Sequence, residues 1–232
     1  MYQNKHSFTL AICMLVVAAF YSCKPDANDF QKYQGHTEII YTGTVTGIAV
    51  RPGNLRAQVQ WAPTPDPNVT NYVLYWNNGA DSAVIPAVNI KDTIKTIVTG
   101  LQETSVQNFL LYTINGKGNR SIGQTISSVK VLGPIYQSSL YNRQLNAAKP
   151  YRMFGTDSVR FYFTRADSTL IYSKLWYRHQ NGTLDSSLVK TDSITLMQFS
   201  NNTKAAIRSF YLPATAIDTF SVPYIDSTIA IH

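Results

Sequence analysis

Apolar and polar residues alternate with a period of two along most of this chain from residue 39 onward. In the segment Arg56–Trp61, the side chains of Ala57, Val59 and Trp61 share one face, and polar side chains occupy the other. The segment Val69–Trp76 repeats the pattern. Successive side chains of a strand point to opposite faces of its sheet, so this alternation predicts β-strands with one buried face.

Turn-forming residues separate these runs at short intervals. Pro, Gly and Asn cluster at Arg51–Asn54, Pro63–Asn68, Asn77–Gly79 and Gly116–Asn119. Between and after them lie further apolar runs, at Ile94–Val98, Phe109–Ile114 and Ile126–Leu132. Short strands at this spacing, without a helical stretch, predict an antiparallel β-sandwich.

The second half of the chain repeats this plan about 100 residues later. The segment Leu74–Ser82 and its counterpart Leu175–Ser186 both end a strand in aromatic residues, turn at Asn-Gly and restart at Asp-Ser. Upstream, Arg56–Trp61 corresponds to Ser158–Phe163. The predicted fold is therefore all-β, with two tandem sandwiches at residues 39–134 and 135–232 and a boundary near Gly133.

The N-terminus has the pattern of an export signal. Lys5 precedes the apolar run Phe8–Phe20, which is shorter than the roughly 20 residues of a membrane-spanning helix. Cys23 follows the small residue Ser22, and this end of the run resembles a lipobox, from which Tyr21 departs. We predict a signal peptide at 1–22, a lipid on Cys23 that anchors the protein in the outer membrane, and a flexible tether at 23–38. The alternative is a secreted protein with Cys23 near its cleavage site.

Composition argues against most catalytic chemistry. Cys23 is the only thiol left after signal removal, so no internal disulfide or Cys-based metal site can form. The three His residues beyond the signal are far apart, and the only Glu residues are Glu38 and Glu103. We predict a non-enzyme without metal or cofactor, with a hydrolase as the less favoured class. The net charge of +7 is spread along the chain, so no nucleic-acid partner is predicted.

The first half resembles a fibronectin type III domain. Trp61 matches the core Trp of its second strand, and Val69–Trp76 matches its third strand. Leu101 and the turn Asn115–Ser121 match its sixth strand and the turn that follows. The Tyr expected six residues after Leu101 is replaced by Gln107, so we expect a weaker or different link to the preceding loop.

The whole exported part also resembles a lipoprotein family, domain-of-unknown-function family 4998 (DUF4998). This resemblance implies two sandwiches and an envelope location, and no reaction. The motifs that carry it are Tyr41–Gly43, Val50–Asn54, Asp66–Val69, Tyr75–Ser82, Gly118–Ser121, Ser139–Arg143, Leu212–Pro213 and Ala216–Phe220.

Eight of the eleven Asp residues directly precede Ser or Thr. Asp caps turns through its side chain, and Ser or Thr commonly opens a strand, so one interpretation is structural. The other is modification, because several of these triplets resemble an O-glycosylation signal of exported bacterial proteins. The candidate acceptors are Ser82, Thr93, Ser158, Ser168, Ser193 and Ser227.

The repeat also predicts a binding surface. If Leu175 points inward as Leu74 does, then Lys174, Trp176 and Arg178 face outward together. An exposed Trp between two cations suits a sugar ring or an anionic group. The alternative is that Trp176 packs against the first sandwich or a partner protein. We therefore predict a non-enzymatic envelope lipoprotein that binds or presents a ligand, such as a glycan, with a structural or adhesive spacer contacting envelope proteins as the alternative.

Overall fold

A computed structural model describes residues 40–87, 92–201, 203–229 and 231. The predicted signal peptide, the lipidation site Cys23 and the tether lie outside the described residues. Residues 41–232 form one compact unit. Within it, two separate hydrophobic cores are each enclosed by a pair of antiparallel sheets.

The first sandwich contains seven strands. Strands β1, β2 and β5 form one sheet, and the second sheet has the order β4-β3-β6-β7. The bounds are β1 Thr46–Gly53, β2 Arg56–Ala62, β3 Val69–Trp76, β4 Asp81–Pro86, β5 Ile94–Thr99, β6 Gln107–Asn115 and β7 Gln124–Val129.

The core of the first sandwich follows the alternation of the sequence. In β2, the side chains of Ala57, Val59 and Trp61 are fully buried. Across the interior, the ring of Trp61 lies 5.5 Å from that of Tyr72 in β3. The inward face predicted for Arg56–Trp61 is therefore confirmed.

The second sandwich repeats this order of strands. Strands β8, β9 and β12 form the smaller sheet; the larger has the order β11-β10-β13-β14, and β15 also pairs with β13. The bounds are β8 Tyr151–Phe154, β9 Ser158–Tyr162, β10 Leu170–Arg178, β11 Leu184–Val189, β12 Ser193–Leu196, β13 Ala205–Tyr211, β14 Phe220–Ser221 and β15 Asp226–Ile229. The predicted all-β fold with two tandem fibronectin type III-like sandwiches is confirmed.

Equivalent positions in β6 and β13 hold the segment that precedes each sandwich. In β6, the hydroxyl of the buried Thr113 lies 2.6 Å from that of Thr42. In β13, the backbone N–H of Ser209 donates to Asn142 Oδ1 at 2.8 Å, and Ser209 Oγ accepts from the backbone N–H of Arg143 at 2.9 Å. Buried polar groups need such partners, so these bonds fix where each sandwich begins.

Arg143 adds an ion pair and several hydrogen bonds to the second of these junctions. Its side chain is 2% exposed and forms an ion pair with Asp192. The guanidinium also donates to the carbonyl oxygens of Thr164 and Thr191, at 2.6–2.8 Å. A buried cation is tolerated only when its donors are satisfied, and here several are.

One element differs from the prediction of a helix-free chain. A short helix, α1, spans Pro134–Ser138, and β7 ends at Val129, before the predicted Leu132. Glu103 accepts hydrogen bonds from the backbone N–H groups of Ile135 (2.7 Å) and Tyr136 (2.6 Å). The first N–H groups of a helix lack partners within the helix, and Glu103 satisfies two of them. A side chain more than 30 residues away thus forms the helix start, which local sequence does not reveal.

Asp218 joins the two sandwiches. Its carboxylate accepts from Arg56 Nε at 2.8 Å and from the backbone N–H of Asn54 at 2.7 Å. The hydrogen bond from Arg56, followed by that from Asn54, holds the pKa of Asp218 below its usual range. Beside it, the backbone N–H of Ile217 donates to the carbonyl of Pro52 at 2.9 Å. These contacts link the β1–β2 turn to the loop before β14.

Candidate functional site

The three residues predicted to bind a ligand lie on the outer face of β10. Leu175 and Tyr177 between them are buried, whereas Lys174 and Trp176 are half-buried and Arg178 is exposed. The ring of Trp176 does not belong to the core of the second sandwich. The sheet therefore presents Trp176 between two cations.

The two strands beside β10 place small side chains next to Trp176. Its neighbours are Ser186 in β11 and Ala206 in β13, both with small side chains. Lys174 Nζ lies 5.2 Å from the ring centroid of Trp176, a cation–π contact. The indole therefore lies between two small side chains, with an ammonium group beside it.

Three further residues extend this surface. Tyr172 and Phe210, paired across β10 and β13, stack with ring centroids 4.7 Å apart. Arg208 pairs with Lys174 on the same face and donates from Nε to the carbonyl of Val222 at 2.7 Å. We call this surface the cationic face; its residues are Tyr172, Lys174, Trp176, Arg178, Arg208 and Phe210.

Within the part of the chain that the structure describes, no carboxylate forms an ion pair with Lys174, Arg178 or Arg208. Arg178 donates only to the carbonyl of Gly182, at 2.9 Å. The positive charge of this face is therefore not neutralised by those residues. The sequence predicted Lys174, Trp176 and Arg178 but not Tyr172, Arg208 and Phe210, although the alternation in β10 and β13 indicates that these three also face outward.

A family model covers most of the chain and identifies it. The DUF4998 model, described as a domain of unknown function, matches residues 23–220. The chain belongs to this family. No curated protein matches it.

Among solved structures, the DUF4998 chain is similar to fibronectin type III arrays. A two-domain segment of chicken tenascin is 16% identical with a TM-score of 0.33, covering 79% of this chain and 99% of that one. The FN1–FN3 domains of chicken CNTN1 are 11% identical with a TM-score of 0.38, covering 83% of this chain and 70% of that one. The fold assignment rests on the strand order described above and not on these scores.

The candidate glycosylation sites differ in accessibility. Ser82, Thr93, Ser168 and Ser227 are exposed, and Ser193 is half-buried. Ser158 is buried, and its hydroxyl donates to Asp157 Oδ1 at 3.1 Å. A sugar on Ser158 has no room in the folded sandwich, so we withdraw this acceptor.

Two of the associated Asp residues accept hydrogen bonds from backbone N–H groups that closely follow them. Asp167 Oδ1 accepts from the backbone N–H of Thr169 at 2.7 Å, and bonds from the hydroxyl and backbone N–H of Thr169 lower the pKa of Asp167. Asp185 Oδ1 accepts from the backbone N–H of Ser186 at 2.7 Å. The structural interpretation, an Asp that caps a turn, therefore accounts for Asp167, whereas Asp185 lies within β11.

The only His with described surroundings, His179, lies at the end of the β10–β11 hairpin. Its Nε2 lies 3.1 Å from Asp185 Oδ2, which also accepts from the Tyr177 hydroxyl at 3.1 Å. In the described ranges, no group of three or more His, Cys, Asp or Glu residues is placed to hold a metal ion. The helices in these ranges are likewise too short or too polar to cross a membrane.

Proposed function

We propose that this protein is a non-enzymatic binding module of the cell envelope that captures an acidic glycan on the cationic face of its second sandwich. One observation carries the proposal: three cations, which have no acidic partner in the described part of the chain, alternate with aromatic rings on a single sheet face. The rings offer flat apolar area for a sugar. The cations offer charge-assisted hydrogen bonds to its carboxylate or sulfate groups.

The spacing of the face favours an extended ligand. Residues on one face of a strand recur at every second position, about 6.6–6.8 Å apart. Lys174, Trp176 and Arg178 therefore form a row along β10, with Arg208 beside Lys174. Successive acidic units of a polysaccharide can contact such a row in register, whereas a single small anion would use only part of it.

The proposed cellular setting follows from the N-terminal pattern. Cys23, once acylated, holds the sandwiches at the outer membrane, with residues 23–38 as the tether. Incorporation of radiolabelled palmitate tests the anchor: we expect label in the wild-type protein and none in Cys23→Ala. Label that persists in the variant contradicts lipidation at this residue.

The alternative function, a structural or adhesive spacer, is favoured by a different observation. Asp218 and Arg56 tie the sandwiches together, and Glu103 fixes helix α1 between them. A spacer needs such a stiff connection and requires no ligand on either sheet face. Binding experiments separate the two functions.

The decisive experiment measures binding of the chain from residue 24 onward to acidic polysaccharides and to neutral ones of matched length. We expect binding to acidic chains that weakens with salt. Trp176→Ala should lose about 1–3 kcal/mol of affinity, the scale of base stacking on aromatic side chains. The control is Tyr141→Ala, which removes an aromatic side chain that is 70% exposed outside the cationic face. Equal binding of neutral chains, or an unchanged affinity of Trp176→Ala, contradicts the proposal.

A further inference from the structure

A pocket lies on the larger sheet of the first sandwich, near the short 3-10 helix Asn77–Gly79. Its volume of about 460 Å³ falls within the range of small-molecule sites, about 300–1,000 Å³. Its lining includes Tyr75, Asn78, Leu110, Tyr112, Arg120 and Thr125.

Two aromatic rings and a leucine supply the apolar part of the pocket. The rings of Tyr75 and Tyr112 meet edge to face, with centroids 6.1 Å apart. Leu110 pairs with Tyr75 across β3 and β6. Beside them, Gly123 allows the Tyr112 ring to lie close to the backbone, because a Cβ there would come within 2.8 Å of two ring atoms. The apolar area is thus built by packing and does not depend on a ligand.

Several polar groups around these rings have no partner among the residues that the structure describes. The guanidinium carbon of Arg120 lies 6.0 Å from the Tyr112 ring centroid, and no carboxylate of the described ranges pairs with Arg120. In contrast to Tyr72, whose hydroxyl accepts from the backbone N–H of Thr64 at 3.2 Å, the hydroxyls of Tyr75 and Tyr112 bond to no described residue. The pocket therefore combines one unpaired cation, two phenol hydroxyls and apolar ring area.

We propose that this pocket binds a single sugar ring that carries one carboxylate. The volume fits one such ring. A guanidinium binds a carboxylate through two parallel hydrogen bonds, which fixes its orientation. The tyrosine rings and Leu110 cover the apolar face of the sugar, and the free phenol hydroxyls bond its hydroxyl groups. The proposal is independent of the cationic face, which lies on the other sandwich.

The test uses the chain from residue 24 onward and two probes, methyl β-D-glucuronide and methyl β-D-glucoside. They differ only in the carboxylate, so Arg120 should distinguish them. Saturation-transfer NMR and titration of backbone and side-chain amide signals report binding and its location. We expect the glucuronide to bind at least tenfold more tightly than the glucoside and to shift the signals of Asn78 and Thr125.

Variants assign the binding to this pocket. Arg120→Gln should abolish the preference for the glucuronide, since the side chain keeps hydrogen-bond donors but loses its charge. Thr125→Trp, at an exposed position on the pocket lining, should block both probes without removing a core side chain. Tyr141→Ala, which removes an exposed aromatic side chain outside both sites, is the matched control and should leave binding of both probes unchanged. Unfolding curves confirm that each variant is folded.

Three results would overturn the proposal: equal affinity for the two probes, unchanged discrimination in Arg120→Gln, or glucuronide binding that Thr125→Trp leaves intact and Trp176→Ala abolishes. The last places the ligand on the cationic face. Failure of the polysaccharide experiment alone leaves the pocket unaffected, since the two sites share no residue.

Discussion

The two sandwiches share an interior and differ on the outer faces of their larger sheets. Tyr75 in β3 and Trp176 in β10 occupy the same place in the repeat, because their inward neighbours Leu74 and Leu175 pair with Leu111 and Ile207, respectively. Both leucines are fully buried. Packing in the core therefore constrains the inward residue in both sandwiches. The outward residue beside it is not constrained in this way, and its side chain differs between the two sandwiches.

The outer faces differ in both shape and charge. In the first sandwich, Leu110 flanks Tyr75, and a loop residue, Arg120, supplies the single cation of the pocket. In the second, Ala206 flanks Trp176, and the equivalent of Tyr112 is Arg208. Large side chains beside Tyr75 form the sides of a pocket. Beside Trp176, the small side chain of Ala206 and several cations leave a flat, charged face. The first suits one ring and the second an extended chain.

The largest expected effect tests the distinction between inside and outside. Leu74→Ala and Leu175→Ala should each lower the free energy of unfolding by about 2–5 kcal/mol, because each leaves a cavity in a closed core. Trp176→Ala should cost less than Leu175→Ala, since Trp176 lies outside the core of the second sandwich. Chemical denaturation measures all three. A cost for Trp176→Ala as large as that for Leu175→Ala would place the ring in the core and eliminate the cationic face as a binding surface.

The next prediction concerns the junctions at which the sandwiches begin. Arg143→Met should lower the free energy of unfolding by about 3 kcal/mol, because removal of the buried cation leaves the carbonyls of Thr164 and Thr191 without donors. Thr42→Val removes one hydroxyl pair at the equivalent junction and should cost about 1 kcal/mol. Urea denaturation compares them. If both variants lose the same free energy of unfolding, the charge of Arg143 adds no stability beyond that of the neutral hydroxyl pair at the first junction.

Strand parity explains which features the sequence predicts well. Alternation in Ile171–Arg178 is local, so it predicts the outward direction of Lys174, Trp176 and Arg178 without any knowledge of the fold. The pocket could not be predicted in this way, since it needs Gly123 and Arg120 to meet Tyr112 across separate segments. The helix at Pro134–Ser138 was missed for the same reason, because the carboxylate of Glu103 that binds its N-terminus is distant in sequence.

A third, smaller effect concerns the contact that joins the sandwiches, and it depends on pH. Asp218→Asn should lower the free energy of unfolding by about 1–2 kcal/mol at pH 7, because it removes the charge partner of Arg56. The pKa of Asp218 is lowered in the folded state. The stabilisation is therefore fully present above the unfolded-state value near 3.9 and is lost as the pH falls through the folded-state pKa. Denaturation of both proteins between pH 7 and pH 2 measures this. A wild-type advantage that stays constant over that range would show that ionisation of Asp218 does not contribute.

The smallest expected effect is at Gln107, the position at which a fibronectin type III domain has a Tyr. Gln107 Nε2 donates to Ser105 Oγ at 2.7 Å and to the carbonyl of Gln102 at 3.5 Å, so the link to the preceding loop is made differently, as the sequence allowed. At the equivalent position of the second sandwich, Thr203 Oγ1 donates to the carbonyl of Ser200 at 3.2 Å. Gln107→Ala and Thr203→Ala should each cost about 0.5–1 kcal/mol, because each removes partly exposed side-chain hydrogen bonds.

Gln107→Tyr sharpens this last comparison. If residue 107 needs only a hydrogen bond to the preceding loop, the phenol hydroxyl of the new Tyr can replace the amide donor of Gln107. The variant should then match or exceed the wild-type stability in urea denaturation. Thr203→Val, which keeps the shape of the side chain and removes the donor, is the control in the other sandwich and should behave like Thr203→Ala. A Gln107→Tyr variant less stable than Gln107→Ala would mean that the loop after Leu101 is shaped around the amide and cannot accept the ring. The first sandwich would then depart from the fibronectin type III pattern in its backbone as well as in this one side chain.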